Sequence, residues 1–431
     1  MSDAAGGRAE APADDESDST GVRGRAGLQL ALLIVNQLLA GIGVATGMAL
    51  AAILVSDLTG VTALGGLSQS ASVLGAALAA IPLARIAVRR GRHVALAAGY
   101  AASAIGAILI VVAATTGIVP VVFLGLAAFG AGTAAGLQAR FAATEVASPG
   151  FEARSMSLVL WATTIGSVAG PLMSSTGDEL GRAAGLPALV GPFVLSGVVF
   201  AVATLIAAAV LRLPRAGRLA SDRSAGGSSG QVGSWTAFRS AFADLRGRLA
   251  ILSIVCAHTV MVGVMVMTPV HMVGHGVPIA LVGVVLSIHI LGMYGASPVM
   301  GWLADRIGAP RVIALGGAIL LTSTLIGVFA PGDSVVLLPI ALGLLGLGWS
   351  AALIGGSTLL TTSVDPASRV ALQGATDAAM NVAAAASAAL SGVVLGLAGF
   401  PGVNVVAILV LVPLLLTGIA VARDARRQRL A

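Results

Sequence analysis

The run Gly301-Trp302-Leu303-Ala304-Asp305-Arg306-Ile307-Gly308-Ala309-Pro310-Arg311 separates two long apolar stretches, at 277–300 and 312–331. Each stretch is long enough to cross a bilayer, which takes roughly 20 apolar residues as a helix. Charge and turn-forming residues are confined to the few positions between them. The run is therefore a tight hairpin between two membrane helices, with Asp305, Arg306 and Arg311 left at the water interface.

The same scan carried outward gives spans at 28–55, 61–84, 94–114, 118–142, 153–175 and 188–211. A second set lies at 249–273, 277–300, 312–331, 334–362, 369–398 and 402–422. Only 10% of residues are charged, against roughly 25% in soluble domains, and the mean hydropathy is +1.00. The chain holds 57 glycines, and small residues let helices pack closely where lipid offers no hydrophobic drive. The expected class is an all-α membrane protein with twelve transmembrane helices in two six-helix halves, 28–211 and 249–422. Residues 212–248, with SDRSAGGSSGQVGS at 221–234, read as a flexible cytoplasmic linker. Residues 1–27 are polar and acidic and lack the apolar core of a secretory signal, so they read as a disordered tail. Residues 423–431 read as a short cytoplasmic tail.

Every basic residue apart from histidine is an arginine, and the arginines cluster. Arg85, Arg89, Arg90 and Arg92 follow the second span, and Arg306 and Arg311 follow the eighth. Others fill the linker, and Arg423, Arg426, Arg427 and Arg429 lie in the tail; the alternate loops hold little beyond Arg182. The positive-inside rule then puts both termini in the cytoplasm. This placement explains the net charge of +6 without a nucleic-acid partner. A single cysteine, Cys256, excludes an internal disulfide. There is no phosphate-binding G-x-x-x-x-G-K-[ST] loop and no hydrolase spacing, so no enzyme is expected.

The hairpin at 301–311 resembles the G-x-L-a-D-R-x-G-R-[RK] loop of the major facilitator superfamily. The corresponding loop after the second span, Ala84-Arg85-Ile86-Ala87-Val88-Arg89-Arg90-Gly91-Arg92, keeps only the Arg-x-Gly-Arg end. The resemblance covers the whole chain. It implies transport by alternating access, with Gly301, Asp305, Arg306 and Gly308 forming a gating loop that pairs charges with neighbouring helices. Val88 stands where the first loop would carry its Asp. The alternative is that Asp305 and Arg306 serve only topology.

Sulfur and imidazole donors are concentrated in one window. His258, His271, His275, His289, Met261, Met265, Met267, Met272, Met293, Met300 and Cys256 all lie between 256 and 300. Methionine alone is more often packing, but histidine at membrane depth is costly and usually functional. Met261-x-x-x-Met265 and His289-x-x-x-Met293 each project from one helix face. Counting roughly 1.5 Å per residue from the two span ends places both pairs near the midplane, where transporters of this kind bind cargo. Thioether plus imidazole selects a soft ion, Cu(I) before Zn²⁺.

These two pairs, 28 residues apart, resemble the signature of the CcoA-like bacterial copper importers. That resemblance implies Met261, Met265, His289 and Met293 as copper ligands on adjacent spans. It also implies copper as cargo with no resident cofactor, the bacterial cytoplasmic membrane as location, and use in haem-copper oxidase assembly. A periplasmic or cytoplasmic copper chaperone would be the partner. Relatives without the pairs include riboflavin transporters.

Further ligands are expected at the outer mouth (Met267, His271, Met272, His275) and along an exit route (Cys256, His258). Their alternative is interfacial or core packing. Asp377, with Asn381 one turn on, is a candidate proton carrier or a helix-to-helix hydrogen-bonding group. Asn36 and Gln37 read as packing. Gly166-x-x-x-Gly170-Pro171 resembles the G-x-x-x-G-P motif of proton-coupled drug antiporters and is equally a close-packing motif. Rival functions are therefore proton-coupled efflux of small organic molecules, uptake of riboflavin or another small solute, and a copper-sensing receptor that transports nothing.

Overall fold

The computed structural model describes residues 14–146, 152–211, 234–362 and 369–430, and among these the regular structure is helical. Spans 1 to 6 are Gly27–Thr59, Thr62–Ala87, Arg92–Thr116, Val119–Gly136, Leu158–Ala183 and Gly191–Ala209. Spans 7 to 10 are Leu245–Gly274, Ile279–Ile307, Ala309–Phe329 and Leu337–Leu360. The last apolar helix, Leu372–Ala425, has 54 residues, more than twice what a bilayer needs. It breaks at Gly399, where φ is 65° and ψ −172°, a backbone state open to glycine and closed to most other residues. Spans 11 and 12 meet at this corner, which completes twelve.

Three sequence boundaries shift. The first helix begins at Asp14, inside the stretch read as a disordered tail. No proline interrupts it, and extending an existing helix costs far less than nucleating one. The final helix runs to Leu430 for the same reason, so the tail from 423 is mostly helical. The linker reading of 212–248 also fails at its end. Ser234–Ala243 is a helix, with Trp235, Phe238 and Phe242 stacked along one side at 5.7 and 6.1 Å between centroids. Ala237 and Ala241 are buried on the other side. Residues 1–13 and 212–233 lie outside the described residues.

Each half has its own core. Leu96, Tyr100, Phe129, Phe193 and Phe200 pack in the first. Met261, Met267, Met293, Leu320 and Trp349 belong to the second. Among the described residues, the hydrogen bonds and glycine contacts that join the halves all lie at one end, away from the arginine-bearing loops. Span 2 meets span 11 there: Ser70 donates to the carbonyl of Ala385 at 2.7 Å. A side chain at Gly66 would collide with the Ala388 carbonyl, and one at Gly392 with that of Ala63. Span 5 meets span 8 in the same way. Ser287 donates to the Val168 carbonyl at 2.7 Å, and Gly283 abuts the Pro171 carbonyl. The halves are thus sealed at the end away from the arginines by two seams of small residues.

Candidate functional site

Span 7 is buried on nearly every side. It lies against spans 10, 11 and 12 and reaches span 1 between the halves. Met261 is buried, and Met265 is half-buried. Met265 lines a cavity of about 100 Å³ between the halves with Met48, Gln69, Pro171, Leu286 and Ile290. Met293, on span 8, belongs to the same buried cluster as Met261, and Met265 packs against that cluster. Spans 7 and 8 are consecutive yet touch little, because span 8 packs on spans 5 and 10. Met261, Met265 and Met293 thus share one extended core, but the expected adjacency of the two pairs is not met, because their spans barely touch and His289 turns toward span 10.

His289 is fully buried. Its Nδ1 lies 2.8 Å from the carbonyl oxygen of Leu342. A carbonyl only accepts, so Nδ1 carries the proton, and Nε2 of the neutral ring is a lone pair. Nε2 is buried and has no partner in the protein. An outer hydrogen bond of this type orients histidine ligands at metal centres. Gly346, one turn beyond Leu342, lets span 10 approach, because any side chain there would meet the His289 carbonyl. Among the described residues no three His, Cys, Asp or Glu side chains gather as a metal centre. An ion here would rest on thioethers and one imidazole.

The other donors separate. Trp349 Nε1 donates to Nδ1 of His258 at 3.0 Å, so that lone pair is taken. Cys256 is buried, and a two-residue offset on a helix places it on nearly the opposite face. Cys256 and His258 therefore lie on different faces of span 7. Met267 and Met272 have no exposed surface. His271 and His275 stay together at the end of span 7 away from the arginine-bearing loops, their rings 4.4 Å apart.

Gly301, Asp305 and Arg306 sit in the helix Ser297–Ile307, and only Gly308, with φ 92°, makes the turn. Arg306 lies over the Trp302 ring at 5.2 Å. The expected charge pairing of Asp305 and Arg306 is not formed among the described residues, whose ion pair is Arg182 with Asp178. The halves are closed at the other end, and the hairpin faces no charged partner among the described residues. Asp377 is exposed on span 11. It lines a polar cavity of about 200 Å³ with Ser357, Gln373 and Thr376, and Asn381 donates to its backbone carbonyl at 2.8 Å.

Asn36 and Gln37 are structural. Asn36 donates to the Ala203 carbonyl at 2.7 Å, and Gln37 donates to the Tyr100 hydroxyl at 2.5 Å. Gly166 and Gly170 let span 5 pack on span 1 at Leu38 and Ala45, the packing alternative of their motif. Sequence reasoning missed Trp349, whose ring contacts both His258 and Tyr294 at 5.9 Å. Its signal was a lone tryptophan in the middle of a span.

The family follows from comparison. The model of the Major Facilitator Superfamily matches residues 33–293 and 251–430. The chain belongs to the major facilitator superfamily. It is accordingly a multi-pass membrane transporter. The uncharacterized MFS-type transporter YdeG of Bacillus subtilis (strain 168) is 35% identical over 368 residues, which is 85% of each chain. The riboflavin transporter RfnT of Brucella anthropi is 31% identical over 285 residues, 64% of this chain and 67% of that one. The crystal structure of the nucleoside transporter NupG superposes with a TM-score of 0.69 at 16% identity, covering 91% of this chain and 98% of that chain. That likeness extends to the fold alone.

Proposed function

We propose that this superfamily member imports copper as Cu(I) across the bacterial cytoplasmic membrane, with both termini in the cytoplasm. Met261, Met265, His289 and Met293 are the ligands, copper is cargo, and no cofactor is resident. The observation that carries the reading is His289. A fully buried imidazole with Nδ1 tied to a carbonyl and Nε2 unpartnered is costly at membrane depth. A soft cation held between Nε2 and the thioethers of the set would offset that cost. Thioethers need no deprotonation, so the ion can be taken and released without leaving a fixed charge behind. A copper chaperone on either side of the membrane would supply or receive the ion, and haem-copper oxidase assembly would consume it.

A second reading is uptake of a flat organic solute such as riboflavin. It is favoured by the relative RfnT and by the ring group of His258, Trp349 and Tyr294. Accumulation of radioactive copper and of radioactive riboflavin, each in a strain lacking its own importer, separates the two. Copper accumulation that depends on the chain supports import. Riboflavin accumulation without copper overturns it. Neither signal, with an organic substrate expelled, points to proton-coupled efflux. A copper response without transport points to a receptor.

A further inference from the structure

His271 and His275 stand one turn apart at the outer end of span 7, outside the buried set. Nδ1 of His275 lies 2.8 Å from the carbonyl of His271. By the same reasoning as for His289, Nδ1 carries the proton and Nε2 is a bare lone pair. Nε2 of His271 is also buried without a partner in the protein. An unpartnered buried nitrogen costs on the order of 1–3 kcal/mol unless something outside the chain completes it. The two rings lie 4.4 Å apart, centroid to centroid, tilted by 59°.

The surroundings are shaped to hold both rings. His271 lies flat on Phe400, 4.5 Å between centroids at 10°, and Phe400 is itself buried at the corner between spans 11 and 12. Gly332, in the turn between spans 9 and 10, makes room for His275: a Cβ there would fall 2.5 Å from its Cγ. Gly276, with φ 81°, turns the chain away immediately afterwards. Three separate segments thus build one place. Helix capping accounts for Nδ1 of His275 but not for the unpartnered nitrogen of His271, the ring plate or the space left by Gly332.

We infer that His271 and His275 form an outer two-imidazole metal site that holds copper ahead of the buried methionine–histidine set. The identity of the cargo rests on the copper reading; the metal site itself does not. Histidines one turn apart on a helix present two nitrogens to one ion, and imidazole suits copper and zinc alike. Imidazole binds Cu(I) as the methionine–histidine set does, so copper held as Cu(I) at the outer site passes inward without a redox step. His275 is exposed and lies at the sealed end of the molecule. The ion can therefore be held there while the halves are closed. With only two protein donors the remaining positions fall to water, and the ion exchanges readily toward the softer thioethers.

The test uses purified full-length protein and two probes. Zinc comes first, because thioether is a poor zinc ligand. The M261L/H289L variant is expected to bind one Zn²⁺ like the unmodified protein, and H271Q/H275Q to bind it at least tenfold more weakly. Cu(I), measured by competition with a chromogenic chelator, is expected at two equivalents in the unmodified protein and one in each double variant. Unchanged zinc affinity in folded H271Q/H275Q overturns the outer site and leaves copper import standing. Zinc binding with no Cu(I) at the buried set overturns copper import and leaves the outer site standing. If H271Q/H275Q does not fold, Gly332→Val crowds His275 from the opposite segment and is expected to weaken zinc. Unchanged zinc affinity there overturns the proposal equally.

Discussion

Nδ1 of His289 on span 8 lies 2.8 Å from the carbonyl of Leu342 on span 10. That carbonyl sits within a regular helix, so its second lone pair does the orienting. The imidazole is held in one tautomer by a neighbouring span. Its free nitrogen points away from that helix, and the orientation of the ring is set by packing between two spans that are not consecutive.

His289→Leu and Met265→Leu are each expected to abolish copper accumulation with normal membrane abundance. Leucine matches methionine in volume, and such swaps usually cost under about 1.5 kcal/mol. Replacing His289 removes a buried polar atom that has no partner, so stability should hold or rise. Copper uptake at the unmodified rate in both variants would reduce the cluster to packing.

The sealed end should loosen when its serines are removed. Ser70→Ala deletes the bond to Ala385, and Ser287→Ala deletes the bond to Val168. Each net hydrogen bond contributes about 0.5–1.5 kcal/mol, up to roughly tenfold in population. Spin-label distances between the outer ends of spans 2 and 11, and of spans 5 and 8, should shift toward longer values. Identical distributions in the double variant would contradict the role given to the seams.

Gly283→Ala should act in the same direction and more strongly. The added carbon would strike the backbone carbonyl of Pro171, which cannot rotate aside as a side chain could. The outer-closed state should lose population while secondary structure is retained. An unchanged distance distribution across spans 5 and 8 is the contrary result.

Asp377→Asn is expected to leave copper affinity unchanged. The carboxyl is exposed in a cavity lined by Ser357, Gln373 and Thr376, apart from the buried methionines, and it is a hard donor. Loss of Cu(I) binding in this variant, with Met265→Leu still binding, would reassign the ligands.

Gln37→Leu should lower thermal stability. It leaves the buried Tyr100 hydroxyl without the amide that donates to it, at a cost of about 1–3 kcal/mol. Adding Tyr100→Phe removes the stranded group and should restore much of the loss, as coupled neighbours do. No recovery in the double variant would show that the pair is not the unit that matters.

The spans and their pairing into halves were legible because each is a run of apolar residues ended by arginine, glycine or proline. The break at Gly399 was legible as well, since Pro401 follows it. The helix Ser234–Ala243 was not, because the serine- and glycine-rich stretch before it masks the apolar spacing of Trp235, Phe238 and Phe242. The donor window between Cys256 and Met300 was visible as composition. Its division was not: Trp349 claims His258 and the Leu342 carbonyl claims His289 from 91 and 53 residues away. Spacing along one helix carries no information about such distant partners.

The two outer seams consist of hydroxyls, backbone carbonyls and glycines, with no ionised group among their described contacts. Shifting one elementary charge across the membrane is worth roughly 2.3 kcal/mol per 100 mV. Opening these seams separates no ionised pair among the described contacts, so voltage has little hold on the seam contacts themselves. On the proposed copper reading, the field would act on the cargo instead, and an interior-negative potential would draw a lone cuprous ion inward past seam contacts that carry no charge.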